Sequence, residues 1–321
     1  AQHEFTGTGA DVKFRQSGDS SWEQYVAFKP SGTLKKVVVE GEVENQNLHG
    51  MATPDMVIIY PKNFKAQAEK LAAIHQEHDG MDVLIAEQQQ IFNEYSSGVQ
   101  DATAYRLFLK MLYDRKPEKL KYLLLLGCGS FDNRRLMGEK SENQLLTYQS
   151  TDSNGIVSSY VTDDYFGFLA DGSGKSIPTD VLSISVGRIP AKTVEDAEAA
   201  ISKTLDYIIS DNSELWRGNA LIMSDKGDND LHTTQAEALE ILIKESMGAD
   251  ALNLEKIYQE WYLRANVSEN VATGTENWAR LRLEEMLREG LLYVSYIGHA
   301  GAIVLTHDNR LWSSADVQSV R

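Results

Sequence analysis

The fold is decided by two apolar runs that end in glycine: YLLLLGCGS at residues 122–130 and YVSYIGHAG at residues 293–301. Five apolar residues before Gly127 are typical of a strand inside a parallel sheet, buried on both faces. Apolar runs at 56–60 and 81–86 flank a segment with helical spacing at 63–78. This alternation predicts doubly wound, mainly parallel α/β sheets, in which ligand sites lie beyond the carboxyl ends of strands.

Turn clusters and changes of pattern predict three parts of the chain. Residues 1–50, with short extended runs at 25–28 and 34–39, are predicted to end an N-terminal β region. Residues 51–212 are predicted to form one α/β subdomain and residues 213–321 a second. Thr193, with Asp196 three residues later, predicts the start of a helix in the first of these subdomains.

Composition excludes several classes of function. The 321 residues carry 31 basic and 47 acidic side chains, a net charge of −16, which disfavours nucleic acid as a partner. The one cysteine, Cys128, can form neither an internal disulfide nor a thiolate-rich zinc site. Because every apolar run is far shorter than the roughly 20 residues that span a bilayer, no transmembrane helix is predicted.

The first strand exit, GCGS at 127–130, has three interpretations. Its glycines could let backbone N–H groups cradle a phosphate, although the spacing of a nucleotide-binding fingerprint is absent. Cys128 could be a nucleophile if an imidazole activated it. A tight structural turn with a half-buried thiol is the interpretation we favour.

The second exit, SDKGDND at 224–230, gathers carboxylates beside His232. Asp225, Asp228 and Asp230 could bind calcium through oxygen ligands, as could the pair Asp163 and Asp164, although no helix-loop-helix calcium spacing is present. Asp225 could instead orient a catalytic histidine, and a solvated acidic loop is the third possibility.

The third exit places His299 between small residues, directly after an apolar strand. Such a histidine suits general base catalysis near neutral pH. The backbone N–H groups of Ala300 and Gly301 could help to hold an oxyanion.

Several stretches, in order, resemble the gingipain family of cysteine peptidases. They are ENQNLHG at 44–50, LLLLGCGSFDNR at 123–134, VGRIPAKTVEDAEAAISKTLDY at 186–207, SDKGDNDLHTTQAE at 224–237 and YIGHAG at 296–301. The resemblance implies a caspase-like α/β fold with an N-terminal and a catalytic subdomain. It implies that His299 is the catalytic histidine and that Asp225 orients it.

The resemblance is strongest to family members that act as sortases in the type IX secretion system of Bacteroidetes. It implies cleavage of a C-terminal secretion signal and transfer of the protein to a surface lipopolysaccharide anchor. Other components of that system would be partners, and the protein would be secreted or associated with the outer membrane at the cell surface. No cofactor is required by this chemistry, and calcium is possible.

Two departures from the family qualify this expectation. The family's nucleophilic cysteine follows the histidine by a few dozen residues, whereas this sequence reaches Arg321 first, so residues 1–321 alone are expected to be inactive. Ala300 stands where the family usually has glycine. The alternatives are a non-catalytic module that binds a peptide or serves as a scaffold in a secretion machine, and a phosphate-binding protein using Gly127, which the net charge disfavours.

Overall fold

The computed structural model describes residues 38–39, 41–130, 132–134, 136, 145–150, 159–177, 179–210, 213–259, 261, 278–301, 303–306 and 311–320. The chain divides into two compact units, Ala1–Gly50 and Met51–Arg321. In the first unit a 3₁₀ turn spans Leu48–Gly50. The strand predicted at 25–28 and residues 34–37 of the other predicted strand lie outside the described residues, whereas Val38 and Val39 are exposed and belong to no strand.

The described strands and helices all belong to the second unit. The strands are β1 (Met56–Tyr60), β2 (Val83–Glu87), β3 (Tyr122–Leu126), β4 (Tyr148–Gln149), β5 (Val161–Thr162), β6 (Ser185–Ile189), β7 (Asn219–Ser224), β8 (Asn253–Tyr258), β9 (Tyr293–Ile297), β10 (Val304–Leu305) and β11 (Trp312–Ser313). The helices are α1 (Lys65–His78), α2 (Gln88–Tyr95), α3 (Ala102–Arg115), α4 (Val194–Ile209), α5 (Leu231–Met247) and α6 (Trp278–Glu289).

The first sheet is parallel, with the strand order β2-β1-β3-β6. All five residues of β1 are buried, as expected for an apolar strand covered on both faces. Met56, Ile58 and Tyr60 pack against α1 and α4, and Val57 and Ile59 point to the opposite face because side chains alternate along a strand. The predicted start of α4 is confirmed: Thr193 and Asp196 form a reciprocal capping box.

The second sheet is also parallel, with the order β8-β7-β9. Leu221 and Met223 of β7 pack on one face with α6, while Ile222 packs on the other face with α5. The predicted doubly wound, mainly parallel architecture is therefore confirmed. The boundary predicted between residues 212 and 213 stays a prediction; the first sheet ends at β6 and the second begins with β7.

Two short antiparallel ladders, β4-β5 and β10-β11, complete the described strands. No helix in the described ranges is both long and apolar enough to cross a bilayer. In the second sheet, Ser224 of β7 lies opposite Ile297 of β9. The residues that follow these two strands, Asp225 and Gly298, therefore emerge side by side at the carboxyl edge.

Candidate active site

His299 directly follows the exit of β9 and is held by its backbone. Its carbonyl oxygen accepts hydrogen bonds from the Tyr296 hydroxyl at 2.6 Å and from the Thr306 N–H at 3.0 Å. Its side chain remains 50% exposed. The backbone is thus fixed while the imidazole faces solvent, which suits a group that must reach a substrate.

Asp225 is buried, with 1% exposure, and binds the backbone of both neighbouring strand exits. One carboxylate oxygen accepts from the His299 N–H at 3.3 Å, and the other accepts from the Lys226 N–H at 2.8 Å. The Asp225 N–H donates to the Ile297 carbonyl at 3.0 Å. These contacts make Asp225 a clamp for the main chain of His299, whereas the sequence predicted a contact with the imidazole.

Gly298 lets the two exits approach each other closely. A Cβ added here would lie 2.4 Å from the Asp225 Cβ and 2.8 Å from the Tyr296 hydroxyl oxygen. The residue also has a φ of +157°. Any side chain at this position would therefore push the Asp225 clamp away from the strand.

The ring of His299 contacts Asp228 instead of Asp225. Its Nε2 lies 2.6 Å from Asp228 Oδ2, and the Nε2 of His232 lies 3.0 Å from the same oxygen. The hydrogen bond to His299, followed by the one to His232, lowers the pKa of the Asp228 carboxyl below its ordinary value of 3.8. The carboxylate form that orients the imidazole is thereby favoured.

The position of Asp228 depends on an unusual backbone. Gly227, Asp228, Asn229 and Asp230 all have positive φ values, of 89°, 50°, 55° and 61°. Glycine, asparagine and aspartate are the residues that adopt this left-handed region most readily, so the sequence GDND matches the conformation. The turn brings Asp228 back over the strand exits, and α5 then begins with His232 in its first turn.

Sequence reasoning named the loop and His232 but missed this pairing. The signal available in the sequence is the spacing of four residues between Asp228 and His232, which would bring the two side chains together if both lay in one helix. In the structure Asp228 precedes α5. The contact with His299 depends on the left-handed turn, which spacing alone does not reveal.

Asp228, His232 and His299 form the only group in the described part of the chain with three side chains placed to share a metal ion. Their ligand atoms all lie within 4.8 Å of one another. Asp225 and Asp230 are not part of this group. The Asp225 carboxylate instead accepts hydrogen bonds from two backbone N–H groups. Calcium binding by the loop stays a prediction.

The two residues after His299 enter a local antiparallel pairing. Ala300 pairs with Leu305, and the Gly301 N–H donates to the Val304 carbonyl at 2.9 Å. In this conformation the Gly301 N–H is therefore committed within the chain. Ala300 lies outside the left-handed region, so alanine fits here without backbone strain. An oxyanion role for either residue stays a prediction.

Cys128 lies at the exit of β3 and is 7% exposed. Its N–H donates to the Ala191 carbonyl, and the Gly127 N–H donates to the Ile189 carbonyl. These amides are therefore not available to cradle a phosphate. The structure supports the interpretation of GCGS as a structural turn in the first sheet.

Asp163 and Asp164, the other predicted source of calcium ligands, have structural contacts. The Asp163 carboxylate accepts hydrogen bonds from Nε–H and Nη2–H of Arg188, both at 2.7 Å. The backbone N–H of Asp164 donates to the Thr162 hydroxyl. The Asp163 carboxylate is thus paired with Arg188 of β6.

Comparison with known proteins agrees with the fold described above. The family model of peptidase family C25 matches residues 50–321. Among curated proteins, nothing matches this chain. Three solved structures illustrate what the chain is similar to.

The crystal structure of dimeric latent PorU from Porphyromonas gingivalis is 40% identical over 56% of this chain and 17% of that chain, with a TM-score of 0.49. The Arg-specific cysteine proteinase gingipain R (RgpB) is 17% identical over 85% of this chain and 52% of that chain, with a TM-score of 0.54. The complex of Porphyromonas gingivalis RgpB pro- and mature domains is 18% identical over 83% of this chain and 52% of that chain, with a TM-score of 0.54. The two RgpB structures indicate a shared fold, and the chain spans about half or less of each of these three structures.

Proposed function

The chain belongs to peptidase family C25, the gingipain family, and on that premise we propose that it forms part of a cysteine endopeptidase in which His299 is the general acid and base. The observation that carries the proposal is the half-exposed imidazole at a strand exit, 2.6 Å from the Asp228 carboxylate. Asp228 is the orienting group, and Asp225 is a positioning residue that holds the His299 backbone.

The contact with Asp228 assigns different tasks to the two ring nitrogens. The nitrogen that faces a carboxylate carries the proton of a neutral imidazole, so Nε2–H donates to Asp228. Nδ1 then has the lone pair that takes the proton from a cysteine thiol. The thiolate attacks the peptide carbonyl, and a C–S bond forms. As the C–N bond breaks, Nδ1–H gives its proton to the leaving amine.

The nucleophile in this proposal lies outside residues 1–321. Cys128 is the one cysteine of the sequence, and it is buried in the first sheet, whereas His299 follows a strand of the second sheet. Residues 1–321 alone are therefore expected to be inactive as a peptidase.

The finer part of the proposal concerns the substrate and the acceptor. The sequence blocks that resemble type IX sortases support cleavage of a C-terminal secretion signal from exported proteins. An amine on a lipopolysaccharide-linked acceptor then attacks the acyl-enzyme, forms a new amide and releases the thiolate. The same resemblance supports a location at the cell surface or outer membrane, together with other components of the secretion system.

A thiol-reactive peptide probe applied to the longer parent protein tests the peptidase proposal. We expect labelling at a cysteine beyond Arg321, located by peptide mass spectrometry, and loss of that labelling in His299→Ala. His78→Ala, which removes an exposed histidine of α1, is the matched control and should label normally. Labelling only at Cys128, or none, would favour a non-catalytic peptide-binding module.

A second assay separates transfer from hydrolysis. The parent protein is incubated with a peptide that carries a C-terminal secretion signal, with and without a primary amine as acceptor. A sortase should convert the cleaved peptide to the amide of that acceptor, which mass spectrometry distinguishes from the free acid. Formation of the free acid alone would restrict the function to peptide hydrolysis.

A further inference from the structure

Two imidazoles converge on one carboxylate oxygen at the carboxyl edge of the second sheet. Asp228 Oδ2 lies 2.6 Å from His299 Nε2 and 3.0 Å from His232 Nε2. The rings of the two histidines meet edge to face, with centroids 5.2 Å apart. A single histidine and one carboxylate are enough for the acid and base chemistry proposed above, so His232 has no task in it.

The spacing of these atoms is close to that of ligands in the first coordination shell of a small metal ion. A tetrahedral zinc site, with bonds of about 2.0–2.2 Å, separates neighbouring ligand atoms by about 3.3–3.5 Å. Here the three ligand atoms all lie within 4.8 Å of one another. Asp228 Oδ2 lies 2.6 Å from His299 Nε2 and 3.0 Å from His232 Nε2, which is somewhat closer than two ligands of one zinc ion. Because the side chains of His299 and Asp228 are half-exposed, they can separate slightly to admit an ion.

The environment of the three side chains is that of a site with an open position. His232 is only 12% exposed and lies in the first turn of α5, so its ring has a fixed location. The other two ligands face solvent, which leaves room for water as a fourth ligand.

We propose that Asp228, His232 and His299 bind a divalent transition-metal ion, with Zn²⁺ as the best match. Two imidazole nitrogens and one carboxylate oxygen suit zinc, whereas calcium takes six to eight oxygen ligands and magnesium keeps an octahedral shell of oxygens. The ion replaces the proton that Nε2 of each histidine shares with Asp228.

Metal binding has a consequence for His299 that rests on the proposed function. A metal ion on Nε2 leaves the single proton of a neutral imidazole on Nδ1. The nitrogen that would accept the thiol proton then has no lone pair, so a metal-bound His299 cannot serve as the base. Zinc should therefore suppress reaction with the thiol probe reversibly, and a chelator should restore it.

Isothermal titration calorimetry of the purified 321-residue chain with Zn²⁺ tests the site without any need for catalysis. We expect one equivalent to bind and the affinity to fall by about tenfold or more in His232→Ala and His232→Gln, since even indirect partners of metal sites contribute that much. Ca²⁺ at the same concentration should not displace the bound zinc. Circular dichroism and thermal unfolding check that the variants fold.

His75→Ala provides the matched control. His75 also contacts a carboxylate four residues away, Asp79, at 2.6 Å, but the pair belongs to no three-residue ligand group among the described residues. Zinc affinity should be unchanged in this variant. Absence of stoichiometric binding in the wild type, or equal affinity in the wild type and both His232 variants, overturns the site. Probe labelling that persists at saturating zinc overturns only the effect on His299, and failure of the probe without zinc bears on the proposed peptidase alone.

Discussion

The segments that follow β3 and β9 have similar backbones, but one is buried and the other is exposed to solvent. Each strand is followed by a glycine with positive φ, 149° at Gly127 and 157° at Gly298, and then by a residue able to perform chemistry, Cys128 or His299. At the first exit the cysteine is buried. At the second exit the histidine is half-exposed and contacts another ionisable side chain. The chemistry at a strand exit is therefore decided by what covers it.

The first exit is covered by Arg188, whose side chain is 11% exposed. Its guanidinium donates to the carbonyls of Gly127 and Leu146 and binds the Asp163 carboxylate in bidentate fashion. At the second exit the buried side chain is instead the Asp225 carboxylate, which accepts hydrogen bonds from two backbone N–H groups. Arg188 therefore covers the carboxyl edge of the first sheet, whereas the side chain of His299 stays exposed at the carboxyl edge of the second sheet.

The largest effect is expected from Asp163→Ala, which removes the ion pair with Arg188 at the first exit. The substitution leaves the buried Arg188 guanidinium without its carboxylate, which should lower the free energy of unfolding by about 3 kcal/mol. Urea unfolding followed by circular dichroism measures the loss. As a control, Glu69→Ala removes one partner of the exposed pair Lys65–Glu69 and should cost about 0.5 kcal/mol or less. A loss below about 1 kcal/mol in Asp163→Ala would contradict a closing role for the ion pair.

An intermediate effect is expected from crowding the second exit with Gly298→Ala. Because the added Cβ would meet Asp225 at 2.4 Å, we expect a loss of about 2 kcal/mol together with weaker zinc binding at His299. Gly218→Ala is the matched control, since a Cβ there meets nothing within 4 Å. Urea unfolding and zinc titration of both variants measure the two effects. Wild-type stability and zinc affinity in Gly298→Ala would mean that the close approach is unimportant.

The smallest effect is expected from Glu240→Gln, which weakens the contacts of α5 with the second sheet. Glu240 binds Lys244 at 2.6 Å and Lys256 at 2.7 Å, and the hydrogen bond from Lys244, followed by that from Lys256, lowers the pKa of the carboxyl from its ordinary value of 4.5. We expect a loss of about 0.5–1 kcal/mol at neutral pH.

The pH dependence of that loss provides the check. Since the pKa of Glu240 is lower in the folded state, its stabilisation is complete above the ordinary value of 4.5 and is lost as the pH falls through the folded value. The difference between wild type and Glu240→Gln should therefore be constant near neutrality and shrink in acid. A difference that grows as the pH falls below that range would contradict this interpretation.

The sequence predicted the scaffold well because hydrophobic burial follows a short-range pattern. The apolar runs of β1 and β3 predicted parallel strands with buried residues, and the pairing of Thr193 with Asp196 predicted a helix start. The strand β9 is parallel as well, although its first two residues, Tyr293 and Val294, are exposed. The nearness of Asp225 to His299 was implied by the family resemblance, and in the structure both follow strands that share one sheet edge. The buried strands and the helix start depend on periodicity and local spacing, which a single sequence contains.

The internal geometry of the site could not be predicted in the same way. The contact between Asp228 and His299 depends on consecutive left-handed residues in the loop, and the location of Asp225 depends on how closely Gly298 lets the strands approach. Gly, Asp and Asn occur in several turn conformations. Their presence in the loop is therefore compatible with this turn but does not predict it over the others. Tertiary packing therefore determines which carboxylate contacts the His299 imidazole.

The burial of Cys128 also has a practical consequence for spectroscopy. Because the sequence has one thiol and that thiol is shielded in the folded chain, maleimide dyes should react with it slowly. A cysteine introduced on the solvent face of α5 or α6 would then accept a fluorophore selectively, without prior removal of the native residue. The folded chain is thus a ready background for site-specific fluorescent labelling of the helices that cover the second sheet.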